Sequence, residues 1–183
     1  MKQGLICGVV ALMSIISAGQ SQAVNAPVNR SLTGLTAVRI VVEDLNRDMQ
    51  ATGLRKEQLY ALAVQQLGKD GFAVIEPQDP TKAPIVYIRL SSVIGGATKD
   101  APVSFYLTVQ VKRLARLAQG TSSTCQATAA SDPPPLLATT WEKGSMAMVN
   151  RNELFFYIQH ILMNLLGDLA TDQKQANGLT QTE

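Results

Sequence analysis

The sequence predicts an α+β domain. We expect a two-layer sandwich with the element order β-α-β-β-β-β-α, in which two helices cover one face of a mainly antiparallel sheet of four or five strands. Several segments alternate apolar and polar residues with a period of two, as strands with one buried face do. Two segments carry apolar residues at helical spacing and are expected to cover that face. Only the first two strands are separated by a helical segment, which favours antiparallel pairing elsewhere.

The segment from Leu35 to Leu45 alternates apolar and polar residues and is predicted to be the first strand. The next segment, Arg55 to Lys69, has helical spacing, and Gly71 is placed where a glycine commonly ends a helix. The apolar side of this helix is formed by Leu59, Leu62, Ala63 and Leu67.

Four further strands are expected. The second is Phe72 to Glu76, the third is Ile85 to Ser91, and the fourth, with the clearest alternation, is Val103 to Leu114. The segment 117–135 is rich in Ser, Thr, Ala and Pro and predicts a long hairpin loop. The fifth strand then covers Leu137 to Met148.

The last element is the strongest predicted helix. Asn150 is a suitable N-cap, and Glu153 three residues later completes a variant of the capping box. A continuous apolar stripe predicts that this helix docks on the sheet. The stripe consists of Leu154, Phe155, Ile158, Ile161, Leu162, Leu165 and Leu169.

The first 23 residues have the pattern of a cleavable signal peptide. Lys2 is followed by a 14-residue apolar run, Leu5 to Ala18, and by small residues at Ser21 and Ala23. The run is shorter than the roughly 20 residues of a membrane-spanning helix, so we expect cleavage after Ala23 and a periplasmic or secreted protein. Lipid attachment at Cys7 is not expected because no apolar region precedes it.

The rest of the chain is expected to form one domain. The composition, 46% apolar and 16% charged residues, is typical of a chain with a packed core. We place the domain at 34–171, between a flexible leader at 24–33 and a flexible tail at 172–183. No membrane span is expected. Loss of Lys2 leaves 15 of the 16 basic residues against 14 acidic ones. This balance is unlike that of nucleic-acid-binding proteins, so no nucleic acid partner is expected.

Catalytic and metal-binding motifs are absent from the sequence, so we expect neither an enzyme nor a cofactor. His160 and Cys125 are the only histidine and cysteine after the signal peptide, too few for a zinc site. A Cys–His nucleophilic pair is an alternative, but Cys125 lies in the predicted loop. An intermolecular disulfide through Cys125 also remains open. A hydrolase built on paired acids is a further alternative, with candidates Glu43, Asp44, Glu142 and Glu153.

Two surfaces are candidates for binding. On the outer side of the last helix an apolar pair points away from the core, and exposed apolar groups often mark contacts. On the outer face of the sheet, tyrosines and cations gather, as they do at binding hot spots. The candidate residues are Phe156, His160 and Met163 on the helix, and Arg39, Tyr87, Arg89, Tyr106 and Lys112 on the sheet. The ordinary chemistry of a helix and a sheet with one solvated face is the alternative explanation for both.

The end of the fourth strand, Lys112 to Arg116, is locally basic. It favours a solvated edge that discourages strand aggregation, with a weak contact to an anionic membrane surface as the alternative. The sequence also leaves a homo-oligomer open.

Four segments carry a resemblance to known proteins: GLTAVRIVVEDL, the helix GL-x-KEQL ending in LGKDGFAV, PIVYIRL, and a late TWE before an amphipathic helix. In this order they resemble small uncharacterised secreted or periplasmic proteins of Gram-negative bacteria. The layout is similar to that of the lipopolysaccharide-assembly lipoproteins and of N-terminal modules of periplasmic secretion accessory proteins. The resemblance implies non-catalytic work as an adaptor or assembly factor. It transfers no functional residue, and no lipid anchor because a usable lipobox is missing.

The sequence therefore predicts a non-catalytic periplasmic accessory protein that binds another component of the cell envelope, most simply a protein. The alternative is a binding module for a small amphiphile or glycan held between helices and sheet. Such a module would need a cavity lined by residues such as Leu62, Phe105 and Ile161.

Overall fold

A computed structural model describes residues 30–76, 83–96, 98, 101–115 and 136–178. The predicted signal peptide, with Cys7, lies outside the described residues, and so does the predicted loop at 117–135 with Cys125.

The described residues form an α+β unit, as predicted, with five strands and three α-helices. The strands are β1 (Ala37–Val42), β2 (Ala73–Ile75), β3 (Ile85–Ile94), β4 (Pro102–Ala115) and β5 (Leu136–Asn150). The helices are α1 (Arg47–Ala51), α2 (Lys56–Lys69) and α3 (Leu154–Ala176), and a short 3-10 helix covers Arg30–Leu32.

The five strands form one sheet in the order β2-β1-β3-β4-β5. β1 pairs in parallel with both β2 and β3, whereas β3–β4 and β4–β5 are antiparallel. The sheet is therefore mixed rather than purely antiparallel: its two longest ladders are antiparallel, and β1–β3 adds a second parallel pair to the one expected for β1 and β2. β2 ends level with Arg39 of β1, and β3 begins level with the same residue on the other side of β1 and continues in the same direction.

One face of the sheet carries the core and is covered by α2 and α3, which also pack against each other. Its alternating apolar positions are buried on β1, β3 and β4, as the period of two predicts. α2 contributes Leu59, Ala63 and Leu67 to this core, and Leu62 packs against it. Gly71 follows α2 with a φ of 94°, the left-handed conformation predicted for the end of this helix.

The start of α3 differs from the prediction. Asn150 is the last residue of β5, where it pairs with Pro102, so it is not the N-cap. Glu153 takes the N-cap position and its side chain makes no capping hydrogen bond. The predicted capping box is therefore wrong. Asn150 has a high propensity to cap a helix, but in the structure it pairs with β4 as a strand residue.

The buried stripe of α3 also differs in two places. Phe155 was expected in the core but is 42% exposed, whereas Leu166 and Ala170 are buried. On a helix these two residues lie to one side of the predicted stripe. The stripe is wider on that side because α3 packs against α2 as well as against the sheet.

The packed unit extends past the predicted domain limits at both ends. α3 continues to Ala176, through residues expected in the flexible tail, and Gln173 Nε2 donates a hydrogen bond to the Leu35 carbonyl at 3.0 Å. At the other end Leu32, expected in the flexible leader, is fully buried.

Helix α1 was not predicted. Asn46 caps it by accepting a hydrogen bond from the Met49 amide at 2.9 Å, and Met49 is buried.

Candidate interaction surfaces

The outer face of the sheet lies opposite α2 and α3. Strand pairing places Arg39 beside Ile85, and Ile85 beside Lys112, in one row across three strands. Tyr87 and Arg89 follow in the next rows on the middle strand, β3. The structure thus brings four predicted residues, Arg39, Tyr87, Arg89 and Lys112, into one polar cluster.

Lys112 and Tyr87 form a cation–π pair within this cluster. The Lys112 Nζ lies 3.6 Å from the centre of the Tyr87 ring. Such a contact contributes about 0.5–1 kcal/mol at an exposed site. Partial burial, together with the nearby Glu43 carboxylate, raises the pKa of Tyr87 above its ordinary value of 10.0.

Arg89 and Glu43 form a second pair across β3 and β1, with 3.3 Å between Arg89 Nε and Glu43 Oε2. The Arg89 side chain is 57% exposed and that of Glu43 39% exposed, so solvent screens this ion pair and it contributes little to stability. The contact also lacks hydrogen-bond geometry, since the buried Oε2 atom has no hydrogen-bond partner. Arg89 and Lys112, two of the cations predicted to bind a partner, therefore already have contacts within the protein.

Tyr106, the fifth predicted sheet residue, lies outside the polar cluster, opposite Ser91 on β3 and Met146 on β5. Its ring crosses Gly144 so closely that a β-carbon at Gly144 would lie 2.7 Å from Tyr106 Cζ. Because Gly144 has no side chain, the Tyr106 ring can lie against it. An aromatic side chain placed in this way is known to stabilise a glycine in an edge strand.

An exposed apolar group surrounds Tyr106. Met146 is 77% exposed, and Met148 and Val93 are each 72% exposed. We call Val93, Tyr106, Met146 and Met148 the methionine patch. The two methionines are missing from the predicted surfaces because the period of the fifth strand leaves open which of its faces is buried. Their signal is the spacing Gly144-x-Met146-x-Met148, which puts all three on one face.

The second predicted surface lies on α3. Phe156 is 69% exposed, Met163 and His160 are also exposed, and the three share one side of the helix, as predicted. Phe155 and Tyr157 extend this surface, and the Phe156 and Tyr157 rings meet edge-to-face with centroids 5.7 Å apart. We define the α3 patch as Phe155, Phe156, Tyr157 and Met163. Phe156 and Met163 point away from the sheet, and Phe155 and Tyr157 lie on either side of them. The two predicted surfaces therefore lie on opposite sides of the molecule.

Two of the residues considered for catalysis, Asp44 and His160, have a polar side chain close by. Asp44 accepts a hydrogen bond from Lys56 at 2.6 Å, which lowers the pKa of Asp44 and raises that of Lys56. A general acid needs a raised carboxyl pKa, the opposite of this shift. His160 lies 3.2 Å from the Asn164 amide. Within the described residues, no three His, Cys, Asp or Glu side chains converge to hold a metal ion.

The three residues expected to line a ligand cavity are packed into the hydrophobic core between the helices and the sheet. Phe105 is buried in the core, and Leu62 and Ile161 pack against it. The amphiphile hypothesis therefore lacks its cavity at these positions.

The fold and its surfaces define an α+β protein, and among the described residues helices cover one face of the sheet. In the part of the chain that the structure describes, none of the helices combines the length and apolar character needed to cross a membrane. No protein-family model matches the chain, and neither does any curated protein. Among solved structures it is similar to a minor lipoprotein from Acinetobacter baumannii, with a TM-score of 0.32 and 9% identity over 79% of this chain and 94% of that one. A similarity this low carries no functional argument.

Proposed function

We propose that this protein is a non-catalytic accessory protein of the bacterial cell envelope that binds an envelope protein through the α3 patch. The observation that carries the proposal is the exposure of three consecutive aromatic residues, Phe155 to Tyr157, with Phe156 69% exposed. Large aromatic side chains dominate binding energy at protein interfaces, and exposed apolar groups of this kind often mark contacts.

The α3 patch is rigidly supported. On the opposite side of the same helix, Ile158 and Leu162 are fully buried in the core. A partner would therefore meet aromatic groups on a helix that is already ordered, and the entropy lost on binding would be small. The sheet face supports binding less well, because Lys112 and Arg89 already contact Tyr87 and Glu43.

The envelope location rests on the signal-peptide pattern that ends at Ala23. Fractionation of cells, with N-terminal sequencing of the exported chain, tests this part of the proposal. We expect a mature protein that begins at Val24. An uncleaved chain in the cytoplasmic fraction would contradict it.

The binding surface is tested by crosslinking in intact envelopes, purification through a C-terminal tag and mass spectrometry of the captured proteins. We expect one reproducible envelope protein, lost when Phe156 and Met163 are both changed to Gln, a substitution that preserves helix propensity. Tyr106→Thr on the opposite side is the matched control and should leave capture unchanged. Loss of the partner in Tyr106→Thr alone would move the site to the outer sheet face. Capture of no other protein in any sample would refute the adaptor function.

A further inference from the structure

Strand β5 lies at one edge of the sheet that the described residues form. It spans 15 residues and pairs with β4 on one side, and no strand within the described ranges pairs with its other side. The opposite edge of the sheet is β2, with only three residues. An edge strand offers unpaired backbone N–H and C=O groups to any other strand, so proteins usually protect such an edge.

The first half of β5 is protected in three ways. Ser31 Oγ donates a hydrogen bond to the Thr140 carbonyl at 2.7 Å. A register shift opposite Val111 and Lys112 makes the ladder irregular there. Lys143 faces α3 and forms ion pairs with its carboxylates. An irregular ladder and an inward charge are both known to discourage pairing.

The second half of β5, residues 144–150, has none of these features. Its sequence, GSMAMVN, contains no charged residue and no proline. Its outer side carries Met146 and Met148, which are 77% and 72% exposed. The features that discourage pairing therefore end at Lys143, and the two exposed methionines lie beyond it.

The chemistry of residues 144–150 fits the same strand of a second copy. A charged partner strand would find no complementary charge here, whereas self-pairing opposes no like charges. An antiparallel pair centred on Ala147 sets Met146 opposite Met148 on the outer face and Ser145 opposite Val149 on the inner face. The two methionine patches then meet across the joint and form one apolar surface.

We propose that residues 144–150 of β5 pair in antiparallel register with the same residues of a second copy, joining two sheets into one of ten strands. The proposal is independent of the α3 patch and goes beyond the proposed function. A symmetric contact of this kind is the commonest way for a protein to form a dimer.

Sedimentation velocity of the full chain in reducing buffer, over a concentration series, tests the pairing. We expect the mass to rise from that of a monomer to that of a dimer, and Met146→Lys with Met148→Lys to keep the chain monomeric, because edge lysines block pairing. Val93→Lys is the matched control: it adds charge to the methionine patch on the inner strand β3 and should leave the dimer formed. A monomer at every concentration would overturn the proposal. Equal disruption by Val93→Lys would also overturn it, in favour of face-to-face contact.

The register is tested separately with Ala147→Cys in a chain that carries Cys7→Ser and Cys125→Ser. Residues opposite each other in an antiparallel pair have Cα atoms about 4.5–5.5 Å apart, within disulfide reach. Mild oxidation should give a covalent dimer for Ala147→Cys and little for Thr171→Cys, an exposed site on α3. Equal crosslinking at the two sites would refute the register. Envelope capture should be unchanged in the lysine variants, which separates this proposal from the binding function.

Discussion

The Trp141 indole N–H on β5 donates a hydrogen bond to Asp172 Oδ2 on α3 at 2.8 Å. Lys143 Nζ reaches the same carboxylate at 3.2 Å and Asp168 at 3.4 Å. Trp141 is 5% exposed, so its N–H has no ready replacement by water. These contacts hold the last turns of α3 against the edge strand, and residues expected in a flexible tail are packed for this reason.

Removal of the Asp172 carboxylate should therefore destabilise the fold. We expect Asp172→Ala to lower the free energy of unfolding by about 1–3 kcal/mol, because a buried N–H loses its acceptor. Urea unfolding followed by fluorescence measures this directly, since Trp141 is the only tryptophan. Asp168→Ala removes only a largely solvated ion pair and should cost less than about 1 kcal/mol. Equal losses in the two variants would show that the indole hydrogen bond contributes nothing.

The two sides of α3 should respond differently to truncation. Leu162 is fully buried, so Leu162→Ala should cost about 2–5 kcal/mol through lost burial and a cavity. Phe156→Ala on the exposed side should change stability by less than about 0.5 kcal/mol. Thermal or urea unfolding by circular dichroism distinguishes them. A large loss in Phe156→Ala would mean that the α3 patch supports the fold, and its exposure would no longer indicate binding.

Two glycines near the end of α2 should give opposite effects. Gly71 has a φ of 94°, which strains any residue with a β-carbon, so Gly71→Ala should destabilise the protein by about 1 kcal/mol. Gly68 lies inside α2 with open space around its Cα, so Gly68→Ala should stabilise it by about 0.5–1 kcal/mol. Midpoints of urea unfolding measure both. Destabilisation by Gly68→Ala would contradict a regular helix at that position.

Tyr87 should ionise at higher pH than an ordinary tyrosine. Its pKa is raised above 10.0 by partial burial and then by Glu43. The difference between the alkaline absorbance titrations of the wild type and Tyr87→Phe isolates its signal from the other three tyrosines. Glu43→Gln is the control and should move the midpoint part of the way back, since burial remains. A difference midpoint at or below 10.0 would contradict the arrangement of Tyr87 and Glu43.

The raised pKa also links Tyr87 to stability. Above pH 10.0 the unfolded chain loses the tyrosine proton before the folded protein does. The unfolded state then binds fewer protons, so this stabilisation is present below pH 10.0 and is lost as pH rises further. Unfolding free energies measured from about pH 8 to 11 should fall more steeply for the wild type than for Tyr87→Phe. Parallel curves would contradict the linkage.

Much of the fold could be predicted from local patterns. The alternation from Val103 to Leu114 located β4 and its buried side, and the spacing of Leu59, Ala63 and Leu67 located α2 and its core face. Where two local preferences competed, prediction failed. Asn150 is a good helix cap and also a strand residue opposite Pro102, and strand pairing prevailed.

The candidate surfaces could be predicted in part. The exposure of Phe156 follows from its helical position relative to Ile158, and the structure agrees. The exposure of Met146 and Met148 was not predicted, because it depends on which face of β5 the helices cover. Sequence analysis also could not show that Lys112 contacts Tyr87, since that contact requires β3 and β4 to be neighbours in a particular register.

The amino-acid sequence by itself determined which residues of most segments share a face, because a side chain's face follows from the period of its own strand or helix. The tertiary structure decided which of those faces is buried and which strands are neighbours, and therefore the parallel pairing of β1 with β3 and the position of β5 at one edge of the described sheet. It also decided which polar groups meet, as Trp141 meets Asp172. These relationships join residues far apart in the chain, and no local period carries information about them.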